Sequence, residues 1–339
     1  MKDLLKKLCT ENGISGCEKP VREIIINEIK DYVTECKIDN LGNIIAFKKG
    51  KKASGNKLMI SAHMDEVGFI VTDVDRDGYI KFDEVGGIDR RVLPGRSVKI
   101  NDINGVIGVK PIHLCGADER KSIPKYSSMY IDIGANNREE ALKYVDLGDS
   151  ITFESVYNEN DYTIMSKALD DRAGCFIMIE MIKSELEYDT YFTFVTQEEV
   201  GLHGSKVAAY SVAPDFSIVL ESTTAADIPE LAESKQVCNV GKGAVIGYMD
   251  RRTIYDKGLI ERAKKISEEE NIKLQFKRAV AGGNDAGAIH ESRGGVRSLA
   301  ISLPCRYLHS QISLISKNDI DDVYKLAVLL SKDICGGNI

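Results

Sequence analysis

The sequence has no long apolar segment and no block of positive charge, and both absences narrow the class of protein. No segment reaches the roughly 18 apolar residues expected of a membrane-spanning helix. The N-terminal stretch MKDLLKKLCTENG spreads lysines among its leucines, which predicts a short amphipathic helix and not a signal peptide. The 45 lysines and arginines are outnumbered by 52 aspartates and glutamates, giving a net charge of -7. A nucleic acid or an anionic membrane surface is therefore not an expected partner.

Paired cysteines and nucleotide-binding motifs are also missing. The eight cysteines are scattered, form no Cys-x-x-Cys pair, and several lie in apolar contexts typical of buried free thiols. Neither G-x-G-x-x-G nor G-x-x-x-x-G-K-[ST] occurs. These features predict a cytoplasmic protein with no thiolate-bound structural zinc and no nucleotide cofactor.

The chain of 339 residues is 43% hydrophobic, which is enough to bury the cores of about two domains. Residues 20–33 have helical apolar spacing, and KLMISAHMDE reads as a short buried strand. Between Val67 and Asp161 short alternating runs are broken by glycines, which is typical of a small β-barrel or sandwich. After Thr163 helices and strands alternate again. We therefore predict one discontinuous α/β domain, residues 1–66 and 164–339, interrupted by an inserted β-rich domain, residues 67–163.

Several residues that can bind metals follow apolar strands directly. They are His63 and Asp65 after KLMI, Glu198 and Glu199 after YFTFVT, and Glu221 after FSIVL. In open parallel α/β sheets, ligands bind in the crevice outside the carboxyl ends of the strands, so these side chains are expected to converge.

Two further elements carry candidate ligands. Asp170 and Asp171 open a predicted helix, where either carboxylate alone is equally consistent with helix capping. His309 lies in a polar loop after a strand, as His63 does. Imidazole and carboxylate together suit Zn²⁺, Co²⁺ or Mn²⁺, and a pair of such ions can clamp a substrate carbonyl.

Six motifs, in order along nearly the whole chain, resemble those of one peptidase family. They are SAHMDEVGF, SKALDDRAG, TQEEVGLHGS, VLESTTAADIP, AGGNDAGAIH and PCRYLHS. They are similar to the motifs of the M42 family of dinuclear metallo-aminopeptidases, which includes glutamyl and deblocking aminopeptidases and self-compartmentalising tetrahedral enzymes. The resemblance implies a zinc-peptidase-like α/β/α fold with an inserted small β-barrel or sandwich.

The resemblance also implies a role for each candidate residue. Two divalent ions, Zn²⁺ or Co²⁺, would be held by Asp170 as the bridging ligand, by His63 and Glu221 on one side, and by Glu199 and His309 on the other. It further implies that Glu198 is the general base and that Asp65 orients the ring of His63.

Other positions are less certain or depart from the family pattern. Asp171 is interpreted as a helix-capping or site-supporting residue, with Arg172 as its partner. Glu221 stands where many relatives have aspartate, and Asn284 replaces a threonine in AGGNDA. His113, in the inserted domain, is either a loop residue or one that reaches a neighbouring subunit's site.

The predicted function is a cytoplasmic aminopeptidase that acts on peptides, and the resemblance implies that the inserted domain serves assembly into dimers and then a dodecamer. A dinuclear deacylase or carboxypeptidase, an endoglucanase and a non-catalytic peptide-binding or assembly protein are the alternatives; the histidines argue against glycoside chemistry. The preferred N-terminal residue and the native metal stay open, although Arg306 is a candidate partner for an acidic side chain.

Overall fold

A computed structural model describes residues 2–339 and places eight α-helices and seventeen strands in them. The helices are α1 (Lys2–Thr10), α2 (Lys19–Ile29), α3 (Arg138–Ala141), α4 (Leu169–Lys183), α5 (His203–Val212), α6 (Lys257–Glu269), α7 (Ala286–Ile289) and α8 (Lys317–Cys335). None of these helices combines the length and the apolar character that a membrane crossing requires.

The strands fall into one large sheet, one small sheet and one barrel. The large sheet contains β1 (Glu35–Ile38), β2 (Ile44–Lys48), β3 (Leu58–His63), β12 (Thr190–Val195), β13 (Phe216–Thr224), β14 (Ala244–Ile246), β15 (Leu274–Phe276) and β16 (Arg297–Cys305). The small sheet contains β10 (Tyr157–Glu159), β11 (Thr163–Ser166) and β17 (Ser313–Ser316). The barrel contains β4 (Gly68–Val74), β5 (Ile80–Val85), β6 (Ser97–Ile100), β7 (Ile103–Gly108), β8 (Tyr130–Asp132) and β9 (Ser150–Phe153).

The large sheet has the strand order β1-β2-β12-β3-β13-β16-β14-β15. Its four central strands, β12, β3, β13 and β16, are parallel, so their carboxyl ends meet at one edge. Strands β1 and β2 join antiparallel, which makes the sheet mixed. All six residues of β3 are buried, as expected of a central strand covered on both faces.

Two groups of helices pack against the sheet. In the first, α4 and α8 contact the central strands, α1 and α2 pack on α4, and α6 packs on α8. In the second, α5 contacts β12 and β3 and packs with α7. In α2, Pro20 lies in the first turn, where its missing N–H costs no hydrogen bond. The buried face of α2, with Val21, Ile25 and Ile29, has helical spacing and joins the core.

The barrel is closed in the order β4-β5-β8-β7-β6-β9 and has its own core. In that core the ring of Phe69 packs edge-on against Phe82 and Phe153, with centroid distances of 5.1 and 5.5 Å. The predicted fold class, a mixed α/β fold with a small inserted β-barrel, is confirmed. The barrel strands end at Phe153, and the predicted boundary at 163/164 lies inside β11, which pairs with β17.

Candidate active site

The carboxyl ends of the central strands bring the predicted ligands into one cluster. His63 is the last residue of β3 and is paired with Val195 at the end of β12, so the loop after β12 carries Glu198 and Glu199 to the same edge. Glu221 lies within the neighbouring strand β13. The loop between β16 and β17 supplies His309.

Asp170 lies between the two imidazoles. Its Oδ1 is 3.3 Å from Nε2 of His63, and its Oδ2 is 3.3 Å from Nε2 of His309. The backbone of Asp170 is not helical, although the residue is part of α4. Within residues 2–339 the buried Oδ1 has no hydrogen-bond partner of acceptable geometry. An orphaned carboxylate oxygen facing an imidazole is an arrangement that a bound cation would satisfy.

One further carboxylate lies beside each imidazole. Oε1 of Glu221 is 3.5 Å from Nε2 of His63, and Oε1 of Glu199 is 3.3 Å from Nε2 of His309. The structure therefore brings all five predicted ligands together, in two half-sites that share Asp170. Nitrogen and carboxylate oxygen at this spacing form a donor set suited to Zn²⁺ or Co²⁺.

Asp171 can also be grouped with His63 and Glu221, because one ligand atom of each lies within 4.8 Å of the others. Its oxygens, however, already accept hydrogen bonds from the main-chain N–H of Gly174, at 3.0 Å, and of His63, at 3.3 Å. Asp171 therefore caps α4 and supports the strand end, and Asp170 is the better candidate ligand.

The predicted pairing of Arg172 with Asp171 is wrong. The Arg172 guanidinium is fully buried and donates to the main-chain oxygens of Met64 and Leu8, both at 2.6 Å. Its nearest carboxylate is that of Glu66, at 3.6 Å. Arg172 therefore ties α4 to the N-terminal segment, a role that no local sequence pattern indicates.

Asp65 positions both His63 and the loop that carries Glu198 and Glu199. Its carboxylate accepts hydrogen bonds from the hydroxyl of Ser15, at 2.6 Å, and from the main-chain N–H of Glu198 and Glu199, at 3.1 and 3.2 Å. Nδ1 of His63 lies 3.1 Å from the main-chain oxygen of Asp65 and 3.5 Å from its Oδ1. A proton on Nδ1 leaves Nε2 free to bind a cation.

The ring of His309 is oriented by a contact with the segment that follows barrel strand β5. Its Nδ1 lies 2.8 Å from the main-chain oxygen of Gly87, which follows β5. Sequence reasoning missed both Ser15 and Gly87, because each reaches the site only through tertiary contact.

The electrostatics of the cluster favour a cation. Burial raises the pKa of the Glu198 and Glu199 carboxyls above their usual range, and burial together with the charge of Asp170 raises the pKa of Glu221 to about 8. Burial disfavours ionised Asp170 as well, but the neighbouring imidazoles of His309 and His63 hold its pKa below the usual range. Carboxylates crowded in a low-dielectric site are stabilised as anions when divalent cations bind them.

Glu198 differs from Glu199 in its surroundings. Glu199 faces His309, whereas no protein group bonds the Glu198 carboxylate within the described chain. Glu198 lines a cleft of about 700 Å³ together with Asp170, Glu199 and Glu221. Its carboxylate is therefore available to a molecule bound in the cleft.

Asp285 is a third residue that sequence reasoning missed. It is completely buried, and neither carboxylate oxygen has a hydrogen-bond partner of acceptable geometry in residues 2–339. Burial raises its pKa to about 6. Its position beside Asn284 in AGGNDA is the one sequence signal that could have drawn attention to it.

A mixed α/β fold with histidines and carboxylates at the carboxyl ends of parallel strands is an arrangement suited to a metal-dependent hydrolase. Within that class, the family model described as M42 glutamyl aminopeptidase matches residues 42–326 of the sequence. The chain therefore belongs to this family of metal-dependent aminopeptidases.

Named relatives agree with this assignment along nearly their full length. The chain is 32% identical to the lysyl aminopeptidase of Pyrococcus furiosus, over 98% of this chain and 97% of the relative. Its fold matches the crystal structure of the TET aminopeptidase of a marine sediment Thaumarchaeota archaeon with a TM-score of 0.93, at 35% identity, over 97% of this chain and 95% of that chain. It also matches the TET1 peptidase of Pyrococcus horikoshii, with a TM-score of 0.85, 34% identity and 98% coverage of both chains; that peptidase is described as able to assemble into a tetrahedron or a large octahedral shell.

Proposed function

We propose that the protein removes N-terminal residues from peptides at a centre that binds two divalent cations, with Glu198 as the general base. The observation that carries the proposal is the position of Asp170, whose two oxygens face two different imidazoles, each at 3.3 Å. A single-cation site would not require one carboxylate to serve two separate sets of donors.

The residues present fit two cations. His63 and Glu221 would hold one, Glu199 and His309 the other, and Asp170 would bridge them. When bound, Zn²⁺ or Co²⁺ ions would polarise the scissile carbonyl and lower the pKa of water.

The proton transfers fall to Glu198. Its main-chain N–H is fixed by Asp65, and its free carboxylate lines the cleft. There the carboxylate would accept a proton from the attacking water and pass it to the nitrogen of the leaving peptide. Asp65, which holds the loop of Glu198 and Glu199 and lies against His63, would keep base and ligands in register.

Substitution of the two adjacent glutamates tests this division of roles. Glu198→Gln should keep the bound metals, measured by elemental analysis, while kcat falls by roughly 10²–10⁴-fold. The matched control, Glu199→Gln, should lose metal because it weakens one half-site. Equal metal loss in both variants, or an undiminished kcat in Glu198→Gln, would contradict the assignment.

The same preparations distinguish an aminopeptidase from a related deacylase. We expect aminoacyl reporter substrates with a free amino group to be cleaved and their N-acylated counterparts to be resistant. Preferential cleavage of the acylated reporters would favour the deacylase alternative.

We further propose that residues 67–163, which contain the barrel, serve assembly and contribute no ligand, and that the protein forms a dodecamer built from dimers. The likeness to the Pyrococcus horikoshii peptidase supports assembly. A cytoplasmic location, suggested by eight free cysteines, is part of this proposal. Native mass spectrometry should show a large oligomer, and a persistent monomer at working concentration would contradict it.

A further inference from the structure

The cleft contains positive charge that the proposed mechanism does not use. Arg251, Arg252 and Lys277 line the same cleft as Glu198. Both arginines are exposed, and within the described chain neither guanidinium has a hydrogen bond or ion pair. Nζ of Lys277 donates to the main-chain oxygen of Ala281, at 3.0 Å, and no carboxylate of residues 2–339 pairs with it. Unpaired cations facing an otherwise acidic site are available to an anionic group of the substrate.

Arg306, which the sequence analysis named as a candidate partner for an acidic side chain, is not available to bind substrate. Its guanidinium donates to both oxygens of Asp227, each at 2.6 Å. This bidentate ion pair satisfies the guanidinium within the protein, so any recognition of a carboxylate in the cleft has to come from other residues.

The turn that carries the two arginines is held by a buried chain of hydrogen bonds. The amide of Asn284 donates to the hydroxyl of Tyr255, at 3.0 Å, and that hydroxyl donates to Oδ2 of Asp250, at 2.6 Å. Oδ1 of Asp250 in turn accepts the main-chain N–H groups of Arg252 and Thr253, both at 2.7 Å. Asn284, a departure from the family motif, therefore helps to position Arg252.

Two glycines make room for the Arg252 side chain. A Cβ atom at Gly283 would lie 2.9 Å from Cγ of Arg252, and one at Gly287 would lie 2.7 Å from its Cβ. Both separations are too short for non-bonded carbon atoms, so a larger residue would force the side chain or the turn to move. The glycine-rich motif thus permits the close approach of Arg252 to the cleft wall.

We propose that Arg251, Arg252 and Lys277 form a subsite that binds a carboxylate of the substrate. The subsite rests on the proposed peptidase function and adds substrate selectivity to it. A planar guanidinium can bind a carboxylate through two parallel hydrogen bonds, and a nearby ammonium adds charge. The carboxylate comes either from an acidic N-terminal side chain or from the C-terminus of a short peptide. The comparisons do not decide between substrates, since the family model is described as a glutamyl aminopeptidase and the chain is also similar to a lysyl aminopeptidase.

Matched substrates separate the two sources. One pair is the glutamyl and glutaminyl 4-nitroanilides, and the other is alanyl-alanine and its C-terminal amide; in each pair only the carboxylate changes. We expect the cation-loaded wild type to show a kcat/KM about tenfold higher for the charged member of one pair, the scale of a charge-assisted hydrogen bond at a partly exposed site. That ratio should fall towards one in Arg251→Gln, Arg252→Gln and Lys277→Gln.

Lys264→Gln is the matched control, because it removes one exposed positive charge outside the cleft. It should leave both ratios unchanged. A response of the glutamyl ratio assigns the subsite to the N-terminal side chain, and a response of the alanyl-alanine ratio assigns it to the peptide C-terminus. Ratios near one in the wild type, or unchanged in all three variants, would overturn the proposal.

A binding measurement keeps this test independent of turnover. Isothermal titration calorimetry of the cation-loaded Glu198→Gln variant, in which cleavage is slowed, should show about tenfold tighter binding of glutamate than glutamine, or of alanyl-alanine than its amide. If no reporter is cleaved, the proposed function fails, and this measurement still decides the subsite: equal affinities in both pairs would exclude it.

Discussion

The buried ion pair of Lys167 and Glu66 provides a strong test of what holds the site together. Nζ of Lys167 donates to both carboxylate oxygens of Glu66, at 2.6 and 2.8 Å, and to the main-chain oxygen of Glu11, at 3.0 Å. Glu66 also accepts the N–H of Gly13, at 3.1 Å. Because Glu66 directly follows Asp65, this pair joins the N-terminal segment and the segment before α4 to the loop that orients His63.

The cost of breaking the pair follows from its burial. The side chains of Lys167 and Glu66 are only 1% and 4% exposed, so removing the ammonium leaves a carboxylate with little access to water. Such a loss typically costs about 3–5 kcal/mol. The Arg172 guanidinium, 3.6 Å from Glu66, offers partial compensation. We therefore expect Lys167→Met to lower the free energy of unfolding by about 3 kcal/mol.

Urea denaturation at fixed protein and metal concentrations, followed by circular dichroism, measures this loss. The double variant Lys167→Met/Glu66→Gln should lose less than the sum of the two single variants, because removing both charges leaves no unpaired ion. A cost below about 1 kcal/mol for Lys167→Met, or strict additivity in the double variant, would refute the reasoning, since either result means that the pair is not held as a buried unit.

Two further predictions concern charge. Burial raises the pKa of Asp319 from 3.8 to about 6, so between these pH values the folded state binds a proton that the unfolded state does not. Asp319 therefore makes the free energy of unfolding fall as pH rises through that range. Urea titrations between these pH values should show a smaller fall in Asp319→Asn. Removal of divalent cations by chelation should abolish activity and lower the melting temperature. Adding Zn²⁺ or Co²⁺ at about 100 times its dissociation constant should restore about 2.7 kcal/mol of folding stability per site. An unchanged melting temperature on cation addition would contradict a metal site in the folded protein.

The fold was predictable where periodicity is strong and local. The alternating runs GFIVTDV and RSVKI become barrel strands β4 and β6, and FSIVL lies within the central strand β13. Local patterns do not predict the mixed character of the large sheet, because the antiparallel pairing of β2 with β12 joins segments about 150 residues apart. The small sheet is similar, since β11 finds its partner β17 near the end of the chain.

The residues of the candidate site were predictable from the sequence where they lie at or near the carboxyl ends of predicted strands. His63 ends strand β3, Glu221 lies within β13 and Glu198 follows β12 after two intervening residues, so a parallel sheet is expected to bring them to one edge. The partners that orient them come from elsewhere in the chain: Ser15 bonds Asp65 across 50 positions, and Gly87 lies beside His309 across 222. No spacing rule relates such pairs.

Selectivity depends even more on non-local contacts. Arg306 and Arg252 are both arginines in loops near the site, and the sequence alone favoured Arg306, because it lies three positions before His309. The structure separates them by their partners: Arg306 is neutralised by Asp227, whereas among residues 2–339 Arg252 is held only through its main chain and its guanidinium has no partner. Since the distinction depends on Asp227 being 79 positions from Arg306, it follows from the fold and not from the motif. If the proposed metal site and the proposed subsite are both correct, they differ in how closely they are tied to the core: His63 and Glu221 belong to central strands, whereas Arg251 and Arg252 lie in a surface turn that can change without disturbing the sheet.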